Sequence, residues 1–174
     1  MRLGPVVAAV VTAALVTAGI ATSGTAGQTT GRRVGGARHH LYTSVGELRK
    51  DATAVVVATA TDRVVVETVA DIPFTVTQLD VVETIRGLPV NAPILLRQLG
   101  SREVPADAPL VEPGATYLLF VRPFEFVAGV PTGQHVAVGA AAGIFRGVGQ
   151  DSFAKVDPQS PDLPDVVSRR DATG

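Results

Sequence analysis

Cysteine is absent from the chain, which excludes a disulfide framework, thiolate catalysis, cysteine-ligated zinc and lipid attachment through an N-terminal cysteine. Tryptophan is absent too, and tyrosine occurs only at Tyr42 and Tyr117. The formal net charge is -1. Without a basic groove or a set of stacking aromatics, nucleic acid is not an expected partner. No acidic block suggests a solvating tail. Lysine is confined to Lys50 and Lys155, so arginine carries nearly all the positive charge. The 174 residues suffice for one domain and hardly for two.

What the chain does have is a distinctive N-terminus. Met1 and Arg2 precede the uncharged run "LGPVVAAVVTAALVTAGIA" from Leu3 to Ala21, and "TSGTAG" follows. Gly24 and Ala26 fit the −3 and −1 positions of a cleavage site, so residues 1–26 read as a secretory signal peptide cut after Ala26. The alternative is an uncleaved membrane anchor, since the run approaches the roughly 20 residues that span a bilayer. Ala, Thr and Gly dominate that run, however, and Arg32, Arg33 and Arg38 beyond it oppose the positive-inside bias. Arg32-Arg33 lies after the apolar segment, which argues against twin-arginine export. The chain is therefore expected to be secreted or extracytoplasmic, meeting a membrane only if the leader is retained.

Residues 27–40, "GQTTGRRVGGARHH", lack apolar periodicity and read as a flexible linker. Ser44 and Glu47 have capping-box spacing, and Val45 and Leu48 form one ridge, which predicts a short helix ending near Asp51. The period then changes. "AVVVATA" (54–60) is a β-branched run buried on both faces, and "RVVVETV" (63–69) is a second. Thr61 and Asp62 between them permit either a tight hairpin or one long bent strand. In "IPFTVTQLDVVETIRG", Phe74 and Val76 share one parity while Leu79, Val81 and Ile85 share the other, the mark of a β-bulge. "PILLRQLG" (93–100) is a strand, and a loop with prolines at 105, 109 and 113 leads to the buried strand "TYLLFVRP" (116–123). "FEFVAGVPTGQHVAVG" suggests a hairpin with a loose loop around Pro131 and Gly133. "AAGIFRG" and "SFAKVD" complete the strands. Residues 158–174, rich in proline and charge, are expected to be a disordered tail.

About seven short strands with frequent turn signals predict an all-β fold with one short N-terminal helix, over residues 41–157. A small Greek-key barrel of the OB type with accessory hairpins fits best. An immunoglobulin-like sandwich is the alternative, although the buried Trp and paired Cys of antibody-type domains are missing.

The order of elements, with "DATAVVVATA", "VVETIRG", "EPGATYLLFVRP" and "VAVGAAAGIFRG", resembles a group of small secreted proteins of high-GC Gram-positive bacteria. Their barrel is similar to the OB-type fold of netrin and tissue-inhibitor-of-metalloproteinase modules. The resemblance spans about 41–156 and implies fold only. Those inhibitors chelate zinc through an N-terminal cysteine, which this chain lacks, so no functional residue carries over.

His39 and His40 are adjacent, which points their side chains apart, and a zinc site needs a third ligand. His135 could serve Ser101 or Ser152 as a base, but no spacing selects a triad and no G-x-S-x-G elbow is present. Glu67, Asp80, Glu83 and Glu125 are scattered at the alternation of solvent-facing strand positions instead of forming a glycosidase-like pair. The glycines of "VAVGAAAGIFRGVGQDSFAKV" (136–156) do not have phosphate-loop spacing and are expected to mark bends, with "RGVGQDS" as a hairpin turn. No catalytic residue, cofactor or metal is assigned.

Phe124 and Phe126 in "RPFEFVAG" share parity and, with Arg122, form a candidate partner-contact patch; the competing reading places the rings in the core. The favoured expectation is a monomeric, non-enzymatic module that binds a protein or cell-wall partner. The alternative is an extracytoplasmic hydrolase whose site the spacing does not reveal.

Overall fold

The computed structural model describes residues 33–35, 40–88 and 92–174. The leader peptide or anchor, His39 and most of the linker lie outside the described residues. Within the linker, Val34 forms an isolated parallel bridge to Ala106. Among the described residues no helix is long and apolar enough to cross a membrane.

The fold is all-β with short helices. Helix α1 (Val45–Asp51) forms where it was predicted, with the Ser44 Oγ accepting from the Glu47 amide. The Glu47 carboxylate reaches back one residue further than a capping box requires, accepting from the Thr43 amide at 2.8 Å. Strands β1 (Ala54–Val69), β2 (Ile72–Arg86), β3 (Ile94–Leu99), β4 (Thr116–Val127), β5 (Val130–Ala137), β6 (Ile144–Gly147), β7 (Ser152–Lys155) and β8 (Val166–Ser168) follow, and α2 (Arg169–Thr173) ends the chain. The eight strands among the described residues belong to one sheet, in the order β1-β2-β3-β5-β4-β6-β7-β8. Because β1 also pairs with β4, five of the strands close into a ring. This single closed sheet leaves no place for the two separate sheets of an immunoglobulin-like sandwich.

The two valine-rich runs are one long bent strand. The β1–β2 register shifts between Ala60 and Val64, where Thr61, Asp62 and Arg63 supply the extra length and the bend. Two further shifts near Val55 and Val57 place extra residues on β2. The parity change in β2 has a different origin from the bulge anticipated there. From Phe74 to Leu79 β2 pairs with β3 without a shift, and both of its faces carry apolar residues. Ala70 and Asp71 close the β1–β2 hairpin with positive φ (49° and 61°), the geometry of a two-residue turn matched to strand twist.

Alternation along β1 and β4 divides the apolar residues between two cores. Ala54, Val56, Ala58, Leu119 and Val121 point into the ring with Leu79, Ile94 and Leu96. Val55, Val57, Leu118 and Phe120 point outward, where they pack with Leu48 of α1, Phe145 and Phe153. That outer layer also includes Leu163, Val167 and Ala172, so the expectation of a disordered tail is corrected. The prolines of 158–165 shape a turn-rich lead into β8. Lys155 then fixes it: its ammonium donates to the carbonyls of Ser160 and Leu163 and pairs with Asp165. The folded unit therefore extends past Asp157 to the C-terminus.

Two glycine expectations hold, and one loop is redrawn. A Cβ on Gly143 would meet the Phe120 and Val138 carbonyls at 2.8 Å, a close backbone approach that admits only glycine. "RGVGQDS" is the β6–β7 turn, closed by Val148 N donating to Ser152 O. The β4–β5 hairpin, however, turns at Ala128-Gly129, with Val127 opposite Val130. Gly129 has φ 79°, which permits the tight turn, and Pro131 sits within β5 at a register shift.

Candidate binding site at Arg97 and the β4–β5 hairpin

Strand register brings distant residues onto one outer face of the ring. On β2, Phe74 pairs with Glu67 of β1 and with Leu99 of β3, and Val76 pairs with Arg97. On β5, Val136 pairs with Arg122 of β4, and Leu95 pairs with Gln134. Arg97 is the centre of this face. It is only 3% exposed, an extreme burial for arginine.

Three aromatic rings and two polar side chains hold it. The guanidinium carbon lies 4.2 Å from the Phe74 ring centroid, 4.7 Å from that of Phe124 and 5.5 Å from that of Phe126. Such cation–π contacts are worth about 0.5–2 kcal/mol each, more when desolvated. Nη1 pairs with the Glu67 carboxylate and donates to Gln134 Oε1 at 3.0 Å. Gln134 Nε2 in turn donates to Glu67 at 2.8 Å, closing a triangle. Nε and Nη2 are buried with no hydrogen-bond partner among the described residues. A buried donor left unpaired costs roughly 1–3 kcal/mol, so this edge of the guanidinium is destabilising as it stands.

Beside Arg97 lies a cavity of about 290 Å³. Phe74, Leu99 and Phe124 line it, with Ala106, Asp107 and Ala108 from the β3–β4 loop and the turn residues Ala140 and Ala141. Arg122 completes the lining and is exposed. It has no ion-pair partner among the described residues. Phe124 and Phe126 pack edge to face, centroids 4.7 Å apart. Neither ring joins either apolar core. Phe124 is half-buried, and Phe126 is 62% exposed beside the exposed Val127 and Val130.

The structure therefore brings Arg122, Phe124 and Phe126 together and adds Arg97 and Phe74, which sequence reasoning missed. One signal was available: Arg97 interrupts the apolar strand "ILLRQL". What could not be read was its partner, because Glu67 lies 30 positions away and looked like an ordinary outward carboxylate.

The other candidates remain apart. His135 is half-buried on β5, and burial lowers its pKa below the usual histidine value. Its Nδ1 has no hydrogen-bond partner among the described residues, so no carboxylate orients the ring there. The Ser101 hydroxyl accepts from the Val104 amide within its own turn. Glu83 pairs with Arg169, and Glu125 accepts from the Gly129 amide. Among the described residues no group of three potential metal ligands occurs.

Neither a scan of protein-family models nor a search of curated proteins finds a match for this chain.

Proposed function

We propose that the chain is a secreted or envelope-associated binding module that meets a protein or cell-wall partner through the outer face built by β3, β5 and β4. The observation that carries this reading is the joining of Arg122, Phe124 and Phe126 to a buried, partly unpaired Arg97 beside an open cavity. Aromatic and arginine side chains are the residue types that dominate binding energy at interfaces. Phe126, Val127 and Val130, all exposed, give the β4–β5 hairpin an apolar tip, a feature that marks interaction sites.

The ring order β1-β2-β3-β5-β4-β1, with β3 and β5 parallel, supports the OB-type reading, a fold that uses an open sheet face and its connecting loops for ligands. The apolar leader followed by small residues supports export.

The test is capture from culture medium and cell envelope with the immobilised chain and its Arg122→Ala and Phe126→Ala variants. A partner retained by the wild type and lost by both variants is the expected result; equal retention by all three contradicts the assigned surface. Loss of a measured hydrolytic activity in a folded His135→Ala variant would overturn the binding reading in favour of an enzyme.

A further inference from the structure

We propose that the cavity beside Arg97 takes a carboxylate carried on an apolar stem, read in bidentate fashion by Nε and Nη2 of Arg97 with Arg122 at the rim. The inference rests on the binding-module reading and names the chemistry its site recognises.

The guanidinium has five N–H donors in a plane. Those of Nη1 are engaged by Glu67 and Gln134, whereas Nε and Nη2 are buried and unpaired among the described residues. These two nitrogens form one edge with parallel N–H bonds, spaced to match the two oxygens of a carboxylate. The rings of Phe74, Phe124 and Phe126 lie over the guanidinium, so the in-plane edge is the part left to a ligand. Buried donors without partners are rare in folded proteins, and each calls for a reason. A ligand that supplies both acceptors is such a reason.

The charges favour a monoanion over a dianion. Arg97 and Arg122 line the cavity with one carboxylate, Asp107, and Glu67 pairs with Arg97, so these positive and negative charges cancel. A dianion such as phosphate would add two uncompensated charges where a monoanion adds one. Apart from Gln98 and Gln159 the remaining lining is apolar, with Phe74, Leu99 and Phe124 prominent, and the volume of about 290 Å³ lies at the small end for ligand cavities. One aromatic side chain or a medium-length acyl chain fits that space. Nε and Nη2 are closed to solvent, so a side chain must yield as the ligand arrives. Phe126, the most exposed of the three rings, is the least restrained.

The experiment is a titration of the full chain followed by nuclear magnetic resonance, reading the Arg97 Nε–H signal. Probes are octanoate, 3-phenylpropionate and acetyl-Gly-Phe with a free C-terminus, each paired with its neutral amide, and inorganic phosphate. The acids are expected to shift the Arg97 signal, and the amides to bind at least tenfold more weakly. A preference for octanoate or 3-phenylpropionate identifies a free acid as the source, and one for acetyl-Gly-Phe identifies a peptide terminus. Arg97→Lys should weaken the acids at least tenfold and Arg122→Gln a few-fold. If Arg97→Lys does not fold, the acid–amide contrast and Arg122→Gln decide alone. Equal binding of acid and amide, binding of phosphate as tight as that of the acids, or saturation without movement of the Arg97 signal overturns the proposal. So does failure of every acid to bind. If the acids fail while Arg122→Ala and Phe126→Ala still abolish partner capture, the ligand chemistry is wrong and the binding surface stands; acids that bind while capture is unaffected give the reverse.

Discussion

Two stretches of the same ring's outer surface are treated in opposite ways. Over β1 and β4, Val55, Val57, Leu118 and Phe120 are roofed by α1 and by the C-terminal segment carrying Leu163, Val167 and Ala172. Over β3, β5 and the far half of β4, no α-helix among the described residues packs on the sheet, and Arg97 is shielded by phenylalanine rings. The roofed region has apolar contacts and a lysine, Lys155, whose ammonium is fully occupied by carbonyls and Asp165. The unroofed region keeps two buried guanidinium nitrogens without partners among the described residues and a hairpin of exposed apolar residues. Satisfied burial serves stability; burial left unsatisfied at one spot of a well-packed fold works against it, and it is there that we propose a partner contributes.

That contrast can be broken most strongly from the roofed side. Deleting residues 158–174 removes Leu163 and Val167 from the outer core, and at about 1.5–3 kcal/mol per buried side chain should cost roughly 3–6 kcal/mol, read as a fall in the urea midpoint. A tail that contributes nothing would leave the midpoint unchanged. Next in size, Glu67→Ala strands the buried Arg97 charge. Glu67 is 37% exposed, so the expected loss is about 2 kcal/mol, below that for a fully buried pair. The double variant Glu67→Ala/Arg97→Met should recover most of it, and simple additivity in the cycle would contradict the assigned coupling.

Smaller effects sharpen the same comparison. Ser44→Ala removes the α1 cap and should cost about 1 kcal/mol by denaturant unfolding. Phe126→Ala, on the unroofed side, loses one ring contact with Arg97 and should cost about 0.5–1 kcal/mol while weakening partner capture. The least effect concerns pH. Burial lowers the His135 pKa from 6.5, so below that value the unfolded chain binds a proton that the folded chain resists. Stability should therefore fall as pH drops from 6.5 toward the lowered folded value, and rise with pH through the same window. His135→Gln should flatten that slope in unfolding curves measured across it.

Local pattern made much of the fold legible. The spacing of Ser44, Val45, Glu47 and Leu48 marks α1, and β-branched runs mark β1 and β4. The glycines of 136–156 mark a close approach and a turn. What pattern could not supply was long-range pairing. The prolines of 158–165 look like those of a disordered segment until Lys155 and the outer core are seen to hold it. Likewise, Phe124 and Phe126 were readable as a patch because they are neighbours on one strand. Arg97 was not, since its partners come from β1, β2, β4 and β5 and only the order of strands in the sheet brings them together.

The division between a structural and a binding face is tested most directly by hydrogen–deuterium exchange of the full chain with and without its captured partner. Added protection at residues 94–99 and 122–137, with exchange at 45–57 and 163–173 unchanged, is the result expected. Protection concentrated over α1 and the C-terminal segment, with none at the β4–β5 hairpin, would contradict the account.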